Sequence, residues 1–389
     1  MNRPSDAADA RITPFGRDLV LPDPFRSLSA NEREVLALIR LEGPISRAEI
    51  ARRSGLAMPT VSRLTGQLAG EGLIVAEEKV MMGRMGQPSL PLLLARHAAY
   101  AFGAAVRADS LAVCLTHLSG EIVATVEETH CGLTREETMV RVRAAVERIV
   151  DQTGVPRDRV CGLGLAISGF FVDDQRRINA PLGMEDWATG ELERDFSHAL
   201  GLPVLVENDG SAAALGESIY GQGREYPSFA YLYVDRGMGG GIILNGRLMR
   251  GVHGNAGEFT GMLPPDLRRH RPTLALLADM AGADAGQSLT DFAASLDPDG
   301  AAVGAWIERV APATSSIISA IAAIVDPAAI VLGGRLPAPV AERLIQALNF
   351  YSVPVRGRDR AFPALVASCV QGDAASLGAG TLCFDRCFL

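Results

Sequence analysis

The sequence predicts an α/β protein in which a small helical domain precedes a body of two similar lobes. Three observations predict this fold class. Between residues 29 and 70, helix-capping residues and glycines recur at the spacing of three short helices. Further along, strand-like runs with glycine-rich turns begin twice, and helices follow each time. The chain has 389 residues with 41 glycines and 5% aromatic residues, which fits two or three domains with tight turns.

Charge is unevenly distributed along the chain. Residues 1–95 contain 12 Lys and Arg against 11 Asp and Glu, a net charge of +1. The other residues therefore contain 25 Lys and Arg against 34 Asp and Glu, a net charge of −9. The net charge of the whole chain is −8. An acidic body does not bind nucleic acid by itself, whereas a near-neutral segment with clustered arginines can. Residues 1–28, rich in Pro, Asp and Arg, are predicted to form a flexible leader.

The sequence also predicts a cytoplasmic location without membrane contact. No run approaches the roughly 18 apolar residues of a membrane span, and the N-terminus lacks a signal-peptide core. The six cysteines are scattered, mostly in apolar stretches, which is typical of buried thiols in a reducing compartment.

Residues 29–95 are predicted to form a winged helix-turn-helix domain. Ser29 and Glu32 make a capping box before the first helix. Ser46 caps a second helix that ends at Gly55, and "MPTVSRLTGQLAGEG" has the apolar spacing of a third. The segment "GLIVAEEKVMMGRMGQPSLPLLL" is typical of two strands joined by a glycine-rich tip, which would be the wing.

This domain carries the residues that we expect to contact an operator in double-stranded DNA. Residues 46–63 have a net charge of +3, which suits phosphate contacts, and exposed polar side chains on the third helix can reach base edges. The candidate DNA-binding residues are Arg47, Thr60, Ser62, Arg63, Gln67 and, on the wing tip, Arg84. The alternative is a module that binds another protein, because winged helices also serve that purpose.

The body, residues 96–389, begins with three strand-like segments and a helix, and a second unit of the same design begins at "FAYLYVDRGMGGGIILNGRLMRG". Two such units in tandem suggest the two-lobed actin and hexokinase-like fold of the ribonuclease H-like ATPases. We expect one lobe at about residues 96–220, completed by the C-terminal helix, and the other at about 221–370.

The stretch "LVENDG" marks a candidate site in the first lobe. It is a strand-like run that ends in Asn208 and Asp209 and leads directly into a helix, where α/β proteins often bind ligands. Asp209 fits a catalytic base, an anchor for a ligand that is only sensed, or the N-cap of the following helix.

The motifs "VENDGSAAALGE", "DRGMGGGIILNG", "NAGEFTGM" and "IVLGGR", in this order behind a winged helix, resemble the ROK family (repressor, open reading frame, kinase). That family comprises sugar-responsive repressors and sugar kinases. The resemblance runs from about residue 29 to 385, and it depends on the order of the elements because no single motif is decisive.

The resemblance implies an ATP site that this sequence has changed. Kinases of the family hold Mg-ATP phosphates with an Asp-X-Gly-Gly-Thr loop, whose small residues let backbone N–H groups approach. Here the loop has Ala105 for the Asp, Arg107 and Ala108 for the glycines and Asp109 for the Thr. The second phosphate loop has Asp235-Arg236. We therefore expect no phosphoryl transfer and no cofactor, with Asp209 left as a vestigial base.

The family's zinc cluster is also missing from the sequence. Gly261 stands where the family has a histidine, and the following stretch contains no cysteine. His270 is a single candidate ligand, whereas a zinc site needs about four donors. No metal is expected.

The resemblance implies a sugar site at Asn208, Asp209, Glu258 and Asn255. Leu182 replaces an Asn that is common in the family, which leaves the ligand's identity open. The sequence thus predicts a DNA-binding regulator, a repressor, that senses a sugar or sugar derivative as a homodimer or tetramer. Two alternatives stay open: an active ATP-dependent sugar kinase with an appended DNA-binding domain, and a DNA-binding regulator without a small-molecule effector.

Overall fold

The computed structural model describes residues 27–77, 90–130, 132–172, 177–181, 183–188, 191–284, 286–352, 354–356, 358 and 360–388. It confirms the predicted fold class, with a helix-turn-helix domain followed by two lobes. Each lobe is built around a five-stranded mixed sheet.

The N-terminal domain consists of α1 (Ala30–Glu42), α2 (Arg47–Ser54), α3 (Met58–Gly70), β1 (Ile74–Ala76) and β2 (Leu92–Leu94). Ser29 and Glu32 form the predicted capping box, and Gly55 ends α2 in the left-handed conformation. Leu36 and Ile50 are fully buried among the helices, in a hydrophobic cluster that continues into the body. The antiparallel pair β1–β2 is the base of the wing.

The first lobe places its helices on both faces of a sheet with the strand order β5-β4-β3-β6-β9. Its elements are β3 (Tyr100–Val106), β4 (Ser110–His117), β5 (Ile122–Thr129), α4 (Arg135–Thr153), β6 (Val160–Ile167), β7 (Phe170–Val172), β8 (Arg177–Asn179), α5 (Leu192–Leu200), β9 (Val204–Asn208) and α6 (Asp209–Tyr220). Strands β3, β6 and β9 are parallel, so their carboxyl ends meet at one edge. That edge faces the second lobe.

The second lobe repeats the plan with the strand order β12-β11-β10-β13-β14. Its elements are β10 (Phe229–Val234), β11 (Met238–Leu244), β12 (Arg247–Leu248), α7 (Pro265–Arg268), α8 (Leu274–Ala281), α9 (Leu289–Ser295), α10 (Ala301–Ile324), β13 (Ala329–Gly334), α11 (Ala338–Ala347) and β14 (Ala364–Ala367). The chain then returns to the first lobe with α12 (Ala374–Phe388).

Helix α12 packs against α6 and against the first-lobe sheet with almost no side chain between them. A Cβ added to Gly378 would overlap the carbonyl oxygen of Ala212 in α6. In the same way, a Cβ on Gly164 in β6 would overlap the backbone of Ala379. Glycine is required at such positions because the backbones approach too closely for any side chain. We call this contact the glycine seam.

By length and composition alone, helix α10 is long and apolar enough to cross a membrane. This differs from the prediction that no segment approaches a membrane span. Half of its most apolar window is buried inside the second lobe, where Trp306, Ile317 and Ile318 are among its fully buried residues. This is the pattern of a core helix.

The chain departs from the expected elements at the edge of the cleft between the lobes. The run "VCGLGLAISGFF" is interrupted, because Gly169 takes a positive φ of 127° and turns the chain into the hairpin β7–β8. A Cβ on Gly169 would stand 2.5 Å from the carbonyl oxygen of Asn179, so this turn requires glycine. Helix α6 begins at Asp209 itself, directly after β9.

The glycine seam predicts an asymmetry between two Gly→Ala substitutions. Gly378→Ala should lower the free energy of unfolding by about 3 kcal/mol, because the new methyl group forces α12 away from α6. Gly304→Ala is the matched control, since this glycine lies inside α10 with no neighbour within 4 Å of an added Cβ. It should raise the free energy of unfolding by up to about 1 kcal/mol. Chemical denaturation of both variants measures the difference, and equal stabilities would contradict the packing described.

Candidate functional site

A cavity of about 190 Å³ lies between the lobes at the carboxyl ends of β6 and β9. Its wall includes Ser168, Phe170, Met184, Asn208, Asp209, Glu258, Met238 and the polar group Arg107, Asp235 and Arg335. The cavity therefore joins the polar side chains of Ser168, Asn208, Asp209 and Glu258 to a set of charged side chains at the lobe boundary. We call it the cleft cavity.

Asn208 is a structural residue of the cleft cavity. Its Oδ1 accepts the backbone N–H of Ser211 at 3.0 Å and so caps α6. Its Nδ2 donates to the carbonyl oxygen of Gly169 at 2.7 Å. Both ends of the amide are thus used in holding the helix and the β6–β7 turn together. The N-cap hypothesis for Asp209 is wrong, because Asn208 is the cap and Asp209 is the first helical residue.

Asp209 lies in the wall of the cleft cavity with its carboxylate buried. The Ser168 hydroxyl donates to Oδ2, and the backbone N–H of Gly210 donates to Oδ1 at 2.8 Å. Burial raises the pKa of Asp209, although the Ser168 hydrogen bond opposes the shift. A carboxylate held in this way can accept further hydrogen bonds from ligand hydroxyls.

Glu258 and Asn255 occupy different positions. Glu258 lines the cleft cavity, and both partial burial and nearby Asp209 raise its pKa. Asn255 is not among the residues that line the cavity. Its Nδ2 donates to the carbonyl oxygen of Phe171 at 2.9 Å, and its Oδ1 accepts the Phe171 N–H at 2.8 Å. We therefore correct its assignment: Asn255 fastens the 250–258 loop to β7 instead of facing the ligand.

The former phosphate loops are filled by a buried network of charges. Arg107 Nε donates to Asp235 Oδ2 at 3.0 Å, and its Nη2 donates to the Tyr233 hydroxyl at 3.0 Å and to Asp373. Arg335 Nη1 donates to Asp109 Oδ1 at 3.0 Å, and its Nε donates to Asp235 Oδ1 at 2.8 Å. We call Arg107, Asp109, Asp235, Arg335 and Asp373 the charge clasp.

The charge clasp joins the two lobes. Arg107 and Asp109 belong to the turn between β3 and β4, whereas Asp235 and Arg335 follow β10 and β13 in the second lobe. The side chains of Arg107 and Arg335 are 6% and 9% exposed, so water screens these pairs weakly. Buried guanidinium groups therefore fill the loops at which the family resemblance implies phosphate binding.

Electrostatics hold the clasp in its ionised form. Burial alone would raise the pKa of Asp235, but Arg335 and Arg107 outweigh that effect and lower it to about 2. Buried ion pairs of this kind contribute little net free energy when complete, because desolvation offsets attraction. Removing one partner costs far more, since the other charge is left buried.

The DNA-binding candidates lie in three situations. Ser62, Arg63 and Gln67 are exposed on α3, where Arg63 Nη1 donates to Gln67 Oε1 at 2.8 Å. Thr60 is partly exposed one turn earlier. Arg47 packs back on α3, with its Nε donating to Thr65 Oγ1 at 2.9 Å. Arg84, on the predicted wing tip, lies outside the described residues, and so does Leu182.

Part of the expected positive charge is already neutralised within α2. Arg52 pairs with Glu49, and Arg53 pairs with both Glu49 and Glu42. Hydrogen bonds from Arg52 and Arg53 lower the pKa of Glu49 to about 2. The net charge of +3 already includes Glu49, whereas Glu42 lies outside residues 46–63, so counting it gives +2 for this surface; Arg63 is an exposed cation on it.

Comparison with known proteins decides the family. A model described as the ROK family matches residues 103–270, and one described as the IclR helix-turn-helix domain matches residues 34–78. A protein of Sinorhizobium fredii named uncharacterized protein y4fQ is 33% identical over 378 residues, or 95% of this chain and 93% of its own length.

The chain belongs to the ROK family.

Among named relatives, the xylose repressor of Bacillus subtilis is 27% identical over 234 residues, which is 60% of this chain and 60% of that repressor. A crystal structure of a ROK family transcriptional regulator, described as a homolog of the E. coli MLC protein, has a TM-score of 0.66 at 22% identity and covers 91% of this chain and 95% of its own. A ROK family glucokinase from Streptomyces griseus, solved with glucose and AMPPNP, has a TM-score of 0.57 at 24% identity over 73% of this chain and 99% of its own. At these identities both structures establish the fold alone.

The "LGG" part of the "IVLGGR" motif, residues 332–334, has a structural explanation in this chain. Gly334 has a positive φ of 92°, and its N–H donates to the Tyr231 hydroxyl at 2.9 Å. A Cβ on Gly333 would overlap that hydroxyl. The motif is thus needed for the turn after β13 whether or not a nucleotide binds. A cavity of about 640 Å³ lies beside it, with Arg107 and Arg335 in its wall.

The loop after Glu258, where the resemblance to the ROK family would place zinc ligands, is held in this chain by apolar packing. Phe259 and Leu263 are buried against the second-lobe core. Among the residues that the structure describes, no group of three or more His, Cys, Asp or Glu could hold a metal ion.

Sequence reasoning missed three residues of this site: Ser168, Arg335 and Asp373. Ser168 directly follows the buried strand β6, so the rule that placed Asp209 at a strand end would also have found it. Arg335 and Asp373 had no such local signal. The unmatched charges of Arg107, Asp109 and Asp235 could have suggested that buried partners exist.

The charge clasp predicts the pH dependence of stability. Because the pKa of Asp235 is about 2 in the folded protein, the stability from its ionisation is complete above about pH 4 and is lost toward pH 2. Asp235→Asn should lower the free energy of unfolding at pH 7 by about 3 kcal/mol or more, since two buried arginines lose a partner. It should also reduce the loss of unfolding free energy between about pH 4 and pH 2 by about 2 kcal/mol.

Urea denaturation between pH 2 and pH 7 measures both effects. Asp266→Asn, at an exposed carboxylate of α7, is the control and should leave the curve of the wild type unchanged. An Asp235→Asn curve parallel to that of the wild type would refute the ionised clasp.

Proposed function

We propose that this chain is a DNA-binding transcriptional repressor whose ROK body senses a sugar or sugar derivative without phosphorylating it. One observation carries this proposal: the charge clasp fills the loops at which the family resemblance implies phosphate binding, while the carboxylate of Asp209 lines the cleft cavity beside it. Phosphoryl transfer requires a nucleotide and its metal held in line with the acceptor hydroxyl. Buried Arg107 and Asp109 in place of small residues support the proposal that this arrangement does not form.

Similarity to repressors supports the regulatory assignment. The Bacillus subtilis xylose repressor shares 27% identity over its matched part, and the helix-turn-helix match covers residues 34–78 of this chain. Because the match spans 60% of that repressor, neither xylose nor its operator is carried over. The protein would act in the cytoplasm, where DNA and sugar metabolites are both present.

DNA binding would use α3 in the major groove as a homodimer or tetramer. Ser62, Arg63 and Gln67 are exposed along one face of α3, and the first turn of α3 has no side-chain cap, so its backbone N–H groups can meet a phosphate. A symmetric oligomer would read two half-sites of a roughly two-fold symmetric operator. The sugar would change operator affinity only by binding one arrangement of the lobes more tightly than another.

The second candidate function is an active sugar kinase with an appended DNA-binding domain. Asp209 favours it, because a carboxylate with a raised pKa next to a sugar cavity is also suited to a catalytic base. The glucokinase of the same fold shows that the fold supports that activity in another chain. A third candidate is a DNA-binding regulator without a small-molecule effector.

Asp209→Asn should separate these candidates. In the proposed sensor, removing the carboxylate weakens sugar binding by about 10- to 100-fold, because a charged hydrogen-bond acceptor contributes roughly 1.5–3 kcal/mol. A thermal-shift screen of pentoses, hexoses and N-acetylated hexosamines identifies a ligand first, and calorimetry then compares the variants. Ligand at 100 times its Kd stabilises the native protein by about 2.7 kcal/mol.

Asp279→Asn, on α8, is a matched control that should bind sugar normally. A coupled ATP assay with each ligand should give only background turnover. Turnover above background that disappears in Asp209→Asn would establish the kinase. A screen in which no sugar stabilises the wild type would favour the regulator without an effector.

Arg63→Ala should weaken binding to operator DNA selected from a random library by about 1–3 kcal/mol. The control is Arg309→Ala, at an exposed arginine of α10. Fluorescence anisotropy over a range of salt concentrations measures the affinity and its salt dependence. Unchanged affinity for Arg63→Ala would exclude α3 as the recognition helix.

A further inference from the structure

A second, unassigned cavity lies at the junction of the winged helix domain and the ROK body. Its volume is about 240 Å³. Helix α1 forms one side with Ala37, Arg40 and Leu41, and α6, α12 and the β11–β12 turn form the others. It is separate from the cleft cavity, since the two share no lining residue. We call it the junction cavity.

Arginines from three different elements line the junction cavity: Arg40 from α1, Arg247 from β12 and Arg250 from the loop after β12. Asp385 of α12 is the single acidic residue in its wall. The lining therefore carries three positive charges against one negative charge. The hydroxyl groups of Ser218 and Thr381 and the amide of Asn245 add hydrogen-bonding groups to this wall.

Arg40 is the residue that points most directly to a ligand. Its side chain is only 10% exposed, and its Nη1 donates to Asp385 Oδ1 at 3.0 Å. Its Nε is buried and has no hydrogen-bond partner among the described residues. A buried charged donor without a partner is rare in native proteins, because it has lost its hydration without compensation.

Arg247 provides an available charge beside it. Its side chain is exposed, and no ion pair joins it to another described residue. Arg250 is engaged differently, since its Nε donates to Glu207 Oε2 at 2.8 Å. Glu207 is fully buried on β9, one residue before Asn208. The cavity wall is thus connected to the strand that positions the cleft cavity.

We propose that the junction cavity binds a small metabolite that carries a phosphate group. The three arginines are countered by Asp385, which pairs with Arg40, and by Glu207, which pairs with Arg250, so one net positive charge remains to attract the charge of about −1.5 to −2 on a phosphate monoester at pH 7. Planar guanidinium groups are well suited to phosphate oxygens, and Arg40 Nε supplies a donor that no protein group uses. The volume of about 240 Å³ suits a molecule smaller than a drug-sized ligand.

The bound phosphate would contact the DNA-binding domain and the body together. Arg40 belongs to α1, whereas Arg247 and Arg250 belong to the second lobe, and Asp385 belongs to the first. The ligand would therefore fix the winged helix domain against both lobes. This proposal does not depend on sugar binding in the cleft cavity or on the absence of kinase activity.

Isothermal titration calorimetry of the full chain tests the proposal with three probes at constant ionic strength: glycerol 3-phosphate, inorganic phosphate and lactate. At least one phosphate probe should bind saturably with one site per chain, and lactate should bind at least tenfold more weakly. Tighter binding of glycerol 3-phosphate supports a phosphorylated metabolite, and equal or tighter binding of inorganic phosphate supports capture of the free ion by the same arginines.

Two substitutions should change the phosphate affinity in opposite directions. Arg247→Ala removes the available charge and should weaken binding at least tenfold. Asp385→Asn removes the carboxylate that competes for Arg40 and should strengthen binding severalfold, which general loss of structure would not do. Arg143→Ala, at an exposed arginine of α4 on the opposite face of the first-lobe sheet, should leave the affinity unchanged.

Several results would overturn the proposal. They are the absence of saturable binding by both phosphate probes, lactate binding as tight as phosphate, and equal affinities of the wild type and Arg247→Ala. Circular dichroism of each variant establishes that it is folded before the titration.

Discussion

The charge clasp is the interaction on which the rest of the body depends. Arg107 and Arg335 each bridge the lobes through Asp235 or Asp109, in a place that water reaches poorly. Five ionisable side chains compensate one another there, and the loss of any one leaves at least one buried charge with fewer partners. A catalytic nucleotide site would need small residues and an open lobe boundary. In this chain, the buried arginines Arg107 and Arg335 line both the cleft cavity and the cavity of about 640 Å³ at the lobe boundary.

Because of the charge clasp, the two sides of the cleft cavity differ in chemistry. On one side, Asp209 and Ser168 present oxygen atoms to the cleft cavity without a fixed positive charge between them. On the other, arginine and aspartate side chains satisfy one another. Asn208 connects these parts to the fold, because the same amide caps α6 and holds the turn after β6. Asn208 therefore has a structural role, while the carboxylate of its neighbour Asp209 lies in the cavity wall.

Much of the architecture could be predicted from the sequence, because it depends on local signals. Ser29 with Glu32 and Gly55 mark helix ends through hydrogen bonds and φ angles that nearby residues determine. The filled phosphate loop could be predicted from Arg107, since no arginine fits a backbone cradle. The partners of Arg107 could not, because Asp373 is distant in sequence and reaches it only through the fold. Asn255 was misassigned for the same reason, since its partner Phe171 lies on another element.

The glycine seam has a consequence for how the chain is made. The first lobe is interrupted by the whole of the second, and its sheet lacks one covering layer until α12 arrives. During synthesis from the N-terminus, the apolar surface of β3, β6 and α6 that α12 covers therefore stays exposed while the second lobe is translated. Such long-range closure makes folding slow and exposes the waiting intermediate to aggregation. The buried residues of the winged helix domain share one hydrophobic cluster with α6 and α12, so the packing of this domain is also complete only after α12 is made.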